Sequence, residues 1–168
     1  MAYFREQEDV RRSRIVLVGG MLAVVAFALG PRATFTERWA APSLPVDLDD
    51  WLRSREGSVT TLRVGDGKEI LWVDPQARTR TAISIVYLHG FSADRHEIEP
   101  VVSDVAGLLG ANVFFTRLAG HGQDQAAMGE ATVEAWLDDV AEAVTIGGAI
   151  GEKVILAGTS TGGTLAAW

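Results

Sequence analysis

Cysteine is absent from the 168 residues, so disulfides and thiolate-ligated metals are excluded, while the redox compartment is left open. Histidine is scarce, at three residues. The formal charge of -7 provides no basic stripe to release counterions from phosphates, which argues against a nucleic-acid partner. Internal repeats and low-complexity tracts are also missing. What is present has the make-up of a folded chain, with 48% hydrophobic and 22% charged residues. By length it accommodates about one domain with a single substantial core.

The first thirty residues stand apart. Arg11, Arg12 and Arg14 precede an uncharged run, "IVLVGGMLAVVAFALG" from Ile15 to Gly30, which Pro31 and Arg32 close. A buried core helix would carry a polar face, and this run has none. We therefore read residues 15–30 as a membrane-directed segment behind a basic cytoplasmic N-terminus, residues 1–14. As a helix the run would span about 24 Å against a hydrocarbon core of about 30 Å, so snorkelling arginines or local thinning would be needed. Ala26-Phe27-Ala28 has the small-x-small form of a signal-peptidase site, so the alternative is a secreted or periplasmic protein cleaved near Ala28. Against cleavage, the run continues through Leu29 and ends at Gly-Pro-Arg, as a helix boundary does. Arg5, Arg11, Arg12 and Arg14 lie before it and only Arg32 and Arg38 shortly after. That asymmetry predicts a single-pass anchor with its N-terminus in the cytoplasm and the remainder exported.

Residues 31–50, with Pro42 and Pro45 and no sustained periodicity, read as a juxtamembrane linker, and residues 51–168 as the folded domain. Asp50 is placed to cap a short helix through Glu56. The beta-like runs Val59 to Val64 and Glu69 to Val73, separated by Gly65-Asp66-Gly67, predict a hairpin. The run Ala82 to Leu88 is almost wholly apolar and rich in beta-branched residues, as in a strand covered on both faces in the middle of a parallel sheet. Glu99-Pro100 opens a helix in which Val101, Val105 and Leu108 share a face with Val102 and Leu109, and Gly110 ends it. Asn112 to Arg117 is the next strand. Thr132 caps a second helix, whose Val133, Trp136, Leu137, Val140, Ala141 and Val144 fall on one face. Gly147-Gly148 and Gly151 are expected to loosen its end before the strand Lys153 to Gly158. Strand, helix, strand, helix, strand predicts an α/β fold with a doubly wound, mostly parallel sheet. The five tryptophans are scattered, as core or linker residues are.

Gly158-Thr159-Ser160-Thr161-Gly162 fits the pattern Gly-x-Ser-x-Gly at the end of a buried strand. Where a strand turns sharply into a helix the apex residue is strained, and the residues two positions away approach too closely for side chains. Glycine at 158 and 162 removes that clash, and the Ser160 hydroxyl then projects above the carboxyl ends of the strands. The loop "YLHGFS" follows the central strand, so Gly90 and Phe91 belong to the same edge. Acyl transfer needs two backbone N–H groups aimed at the developing oxyanion, and Phe91 and Thr161 are the candidates. The competing readings are weaker. A plain glycine-rich bend does not explain the strand and the loop together, and "GTSTGG" lacks the lysine of a phosphate-cradling loop. His89, His96, Asp94 and Asp124 have no spacing typical of a metal site, so we expect neither metal nor cofactor. His89 and His121 read as loop braces, and His96, in "DRHEIE", as solvated.

On "YLHGFS" (Tyr87 to Ser92), "RLAGHG" (Arg117 to Gly122) and "GTSTGG" (Gly158 to Gly163), the chain from about Val59 to Trp168 resembles the alpha/beta-hydrolase superfamily. Within it, the likeness is to monoacylglycerol-lipase-like and serine-aminopeptidase-like esterases. The resemblance implies a nucleophile at Ser160, oxyanion donors at Phe91 and Thr161, and supporting motif positions His89, Gly90, His121, Gly122, Gly158 and Gly162. It also implies a small-molecule or lipid ester as substrate and a lid further downstream. In this superfamily an acid and a histidine follow the serine. The eight residues after Ser160 contain neither. The expectation is therefore a serine esterase whose remaining strands, acid and base lie beyond Trp168, with the segment ending there inactive alone and β-edge-exposed. The alternative is an inactive fragment or pseudoenzyme serving as a binding or structural module. Acyl length, ester against amide, and oligomeric state are left undetermined.

Overall fold

The computed structural model describes residues 2–30 and 41–168, with side chains from residue 12 onward. Most of the expected linker, residues 31–40 with Trp39, lies outside the described residues. The elements in order are α1 (Ala2–Leu29), α2 (Leu48–Gly57), β1 (Glu69–Leu71), β2 (Thr81–Leu88), α3 (Glu99–Leu109), β3 (Asn112–Phe115), α4 (Gln125–Glu130), α5 (Val133–Ile150), β4 (Gly151–Gly158) and α6 (Thr161–Ala167). A single 3-10 turn, Arg95–Glu97, precedes α3. The chain divides into two units, residues 1–35 and 36–168.

In the first unit, α1 continues the helix of the apolar run back through the arginine-rich segment. Its stretch Arg12–Leu29 has a mean hydropathy of 1.8 and is long and apolar enough to cross a membrane.

The second unit is built on a mixed four-stranded sheet of order β1-β3-β2-β4, in which β2 pairs parallel with β3 and β4 and β1 runs antiparallel to β3. Alternation along β2 divides the core. Ile85 and Tyr87, with Val113 and Phe115 beside them, pack against Val102 and Ala106 of α3. Val86 and Leu88, with Phe114, pack against Leu137, Val140, Ala143 and Ile146 of α5 and Leu165 of α6. Helices therefore cover both faces, and Val86, Tyr87 and Leu88 are fully buried. Each such side chain contributes about 1.5–3 kcal/mol by leaving water.

Several local expectations change. The cap of α2 is Asp47, whose carboxylate accepts the Asp50 N–H at 2.9 Å, so the helix starts before Asp50. The expected hairpin does not form: residues 59–64 make turns, held by the Arg63 N–H on the Gly122 carbonyl at 2.8 Å, and Glu69–Leu71 pairs with Val113–Phe115 instead. A polar, weakly alternating run has little to gain from pairing when a distant strand offers a buried register. In α3 the buried face is Val102 and Ala106, while Val101, Val105, Leu108 and Leu109 stay exposed. Small Ala106 lets the helix sit close to the sheet, and that fixes its rotation. Gly110 ends the helix in the left-handed conformation, as its position suggested. The strand Lys153 to Gly158 bounds the described sheet, and its Ile155 and Leu156 are exposed.

Helix α5 does not loosen at its glycines but runs through Gly147 and Gly148 to Ile150. The next glycine is needed for contact between strands: a Cβ on Gly151 would lie 2.5 Å from the Ser84 backbone nitrogen. At Gly148 a Cβ would meet nothing within 4 Å. Gly151→Ala should destabilise the unit by about 2 kcal/mol or more through forced strand separation. Gly148→Ala should stabilise it by roughly 0.5–1 kcal/mol by helix propensity. Urea unfolding of the two variants checks both signs.

Candidate active site

From β2 the chain passes over one sheet face to β3, and from β3 over the other face to β4 on the far side of β2. The loops leaving the carboxyl ends of β2 and β4 consequently diverge to opposite faces, and it is at such a switch point that open α/β sheets hold ligands. Ser160 lies at that edge. It is exposed and has φ 47° and ψ -109°, a conformation that costs a non-glycine residue of order 1–3 kcal/mol. The turn around it leaves no space for side chains. A Cβ on Gly158 would lie 2.5 Å from the Gly162 carbonyl carbon, and one on Gly162 would lie 1.9 Å from the Leu88 carbonyl oxygen. The Thr159 N–H bonds the Leu88 carbonyl at 3.1 Å, and the Gly162 N–H bonds the Thr159 carbonyl at 2.8 Å.

The loop after β2 abuts this turn, since a Cβ on Gly90 would stand 3.5 Å from the Thr159 carbonyl oxygen. Phe91 and Thr161 follow Gly90 and Ser160 directly. Neither of their N–H groups has a hydrogen-bond acceptor among the described residues. On either side of Phe91 the backbone is tethered: the Gly90 N–H donates to Glu97 Oε2 at 3.1 Å and the Ser92 N–H to His121 Nε2 at 3.2 Å. Ser92 itself has φ 58°. The exposed Phe91 ring stands edge-on to His121, at 5.9 Å, and to Trp136, at 6.3 Å.

Both motif histidines are fully committed. His89 Nε2 accepts the Leu118 N–H at 3.1 Å, so its proton is on Nδ1, facing the Gly90 carbonyl at 2.9 Å. His121 has the same tautomer, with Nε2 on Ser92 and Nδ1 facing the Ala119 carbonyl. The two rings lie 4.7 Å apart. Burial lowers both pKa values from the ordinary 6.5, outweighing the carbonyls that favour the proton. Neither ring has a lone pair left for proton transfer. His96 is half exposed and pairs with Glu99 at 2.7 Å.

The "RLAGHG" loop is held by an ion network invisible in the motif. Arg117 makes a two-pronged pair with Glu56 of α2, at 2.8 and 3.0 Å, and also donates to the His121 carbonyl. Burial works against the Glu56 carboxylate, but Arg117 and Lys68 hold its pKa below the usual value. Lys68 Nζ reaches Asp139, at 2.7 Å, and Glu142 of α5. Asp139 accepts the Ala119 N–H at 2.7 Å, while Trp136 Nε1 donates to the Ala119 carbonyl at 2.9 Å. Burial opposes the Lys68 charge, yet the two carboxylates raise its pKa. Sequence reading missed Glu56, Lys68, Asp139 and Glu97, because single charged residues at these separations carry no local signal.

Of the residues weighed for a metal, His96 and Asp94 do meet, but with Asp66 rather than His89 or Asp124. All three are otherwise engaged: Asp66 with Arg63 Nε at 2.6 Å, the Asp94 carboxylate with the His96 N–H at 2.9 Å, and His96 with Glu99.

No protein-family model and no curated protein matches the chain. Among solved structures it is similar in fold to one associated with LipS and LipT, two metagenome-derived lipolytic enzymes, with a TM-score of 0.55 and 23% identity. The match covers 64% of this chain and 40% of that one, so this chain corresponds to less than half of its neighbour's length. The fold is thus shared with a lipolytic enzyme.

The histidines impose a pH dependence. Their folded pKa values lie below the unfolded 6.5, so the unfolded state binds more protons in between. Stability should be full above about pH 7 and fall as the pH drops through 6.5 towards the depressed folded values. The fall should be shallower in His121→Gln, as measured by urea midpoints between pH 7.5 and 5.

Proposed function

We propose that the protein is a serine hydrolase of the alpha/beta-hydrolase superfamily, close to monoacylglycerol-lipase-like and serine-aminopeptidase-like esterases, with a doubly wound hydrolase domain from about residue 51. Ser160 is the nucleophile, and the Phe91 and Thr161 N–H groups stabilise the oxyanion. The substrate is a small-molecule or lipid ester. The Ser160 hydroxyl attacks the ester carbonyl, the alcohol leaves, and water hydrolyses the acyl-serine. One observation carries this reading: a strained, exposed serine shares its rim with two backbone donors that lack acceptors among the described residues. The general base is none of the three histidines, since His89 and His121 spend their acceptor nitrogens on backbone N–H groups and His96 pairs with Glu99. We place the base and its acid partner beyond Trp168. The apolar helix is read as an anchor, with the N-terminus cytoplasmic and the hydrolase unit exported.

In protein expressed from the complete reading frame, a fluorophosphonate should label Ser160, and Ser160→Ala should abolish the label and lower ester turnover by at least ~10³-fold. The segment ending at Trp168 should turn over no ester. An unlabelled, correctly folded wild type would instead identify a non-catalytic module.

Deleting residues 1–30 should move the protein from the carbonate-washed membrane pellet to the soluble fraction. Recovery of the full chain in the soluble fraction, shortened at its N-terminus, would identify a cleaved signal.

A further inference from the structure

One carboxylate, in the charged stretch "DRHEIE", joins the loop after β2 to the Ser160 turn. Glu97 closes the 3-10 turn before α3, and its Oε2 accepts two protons: the Gly90 N–H at 3.1 Å and the Tyr87 hydroxyl at 2.9 Å. The Tyr87 oxygen in turn lies 3.0 Å from Thr159 Oγ1. Tyrosine has one proton to give, and an ionised carboxylate only accepts, so the order is fixed: Thr159 donates to Tyr87, and Tyr87 to Glu97. Burial first, together with the nearby carboxylate, pushes the Tyr87 pKa up to about 12, which keeps that donor protonated. The chain of bonds thus runs from the residue before Ser160, through Tyr87 near the end of β2, to the residue before Phe91. Glu97 Oε1 also lies 3.3 Å from the position of a Cβ on Gly90, so the carboxylate packs against that peptide and limits its rotation.

We infer that Glu97 is a positioning residue for the oxyanion site, its carboxylate fixing the His89–Gly90 peptide, next to the one that carries the Phe91 N–H, and coupling it through Tyr87 and Thr159 to the Ser160 turn. The Gly90 carbonyl, in the same peptide as the Phe91 N–H, is held by the His89 ring and the Ala93 N–H, so without Glu97 the loop loses only its anchor on the β2 side and the Phe91 N–H shifts out of line with the developing charge. Preorganised donors stabilise a transition state because they need no reorientation as charge develops. Glu97 touches no reacting atom, so it acts on the chemical step and leaves ground-state binding unchanged. The inference rests on the hydrolase reading for its kinetic consequence, while the tether itself is independent of that reading.

Three variants of the protein from its complete reading frame separate the cases. Glu97→Met conserves length and removes the acceptor; it should lower kcat and the rate of Ser160 phosphonylation by ~10-fold, with KM changed less than about twofold. Glu97→Gln offers one carbonyl oxygen at the same reach to both protons and should recover most of the loss. Tyr87→Phe should cost less than Glu97→Met and add nothing to it. Hydrogen exchange at the Gly90 amide, read by NMR, should accelerate in Glu97→Met and return towards wild type in Glu97→Gln. Wild-type kcat and phosphonylation in a folded Glu97→Met variant, or unchanged Gly90 exchange, would overturn the inference. If Gly90 exchange responds but wild-type Ser160 takes no phosphonate, the hydrolase reading has failed and the positioning role falls with it, although the tether stands. A Glu97→Met variant that does not fold would also overturn it if Glu97→Gln restored folding without restoring kcat.

Discussion

At Gly162 the backbone entering α6 comes so close to the end of β2 that any side chain there would overlap the Leu88 carbonyl. This approach is what the rest of the edge depends on. It forces the chain to leave β4 through a turn that only Ser160 occupies, at positive φ, and it brings the ends of two neighbouring parallel strands within backbone contact. The strain is local, of order 1–3 kcal/mol, and is outweighed by the burial of β2 between α3 and the helices α5 and α6. A central strand buried from Ser84 to Leu88 is thus the condition for a strained, exposed serine.

The second constraint is imposed by histidines used as acceptors. A neutral imidazole with its proton on Nδ1 accepts a backbone N–H and donates to a carbonyl at once, which no aliphatic or carboxylate side chain can do. His89 uses this to tie the loop after β3, and His121 to tie the loop after β2. Each loop is held by a ring from the other, and the two rings lie tilted against each other. Being buried and neutral, they provide rigidity at neutral pH and lose it on acidification, and for the same reason they are unsuited to moving protons in catalysis.

A third layer of support comes from charges. Helix α2 and the segment before β1 are more than a decoration on the sheet's edge: Glu56 and Lys68 reach from there to Arg117, Asp139 and Glu142, and so fasten the "RLAGHG" loop to α5. Partners in this network are buried, and removal of one leaves another charge uncompensated, which is far more costly than losing a surface pair. Fold and site therefore share one polar scaffold on this side, with Glu97 as its counterpart on the other.

The sequence by itself determined what depends on near neighbours. The largely apolar run of β2, the helical spacing in α5, the cap at Thr132, the left-handed Gly110 and the glycines flanking Ser160 each encode a conformation within a few residues, and each is found in the structure. Tertiary structure decided what depends on partners far along the chain. It chose β3 over residues 59–64 as the mate of β1, turned α3 onto Val102 and Ala106, and gave each histidine its tautomer. It also recruited Glu56 to Arg117 across 61 residues and Lys68 to Asp139 across 71. A single charged or aromatic residue has no periodicity to betray its role. Its meaning is set by whichever group the packed sheet places within three ångströms or so of it.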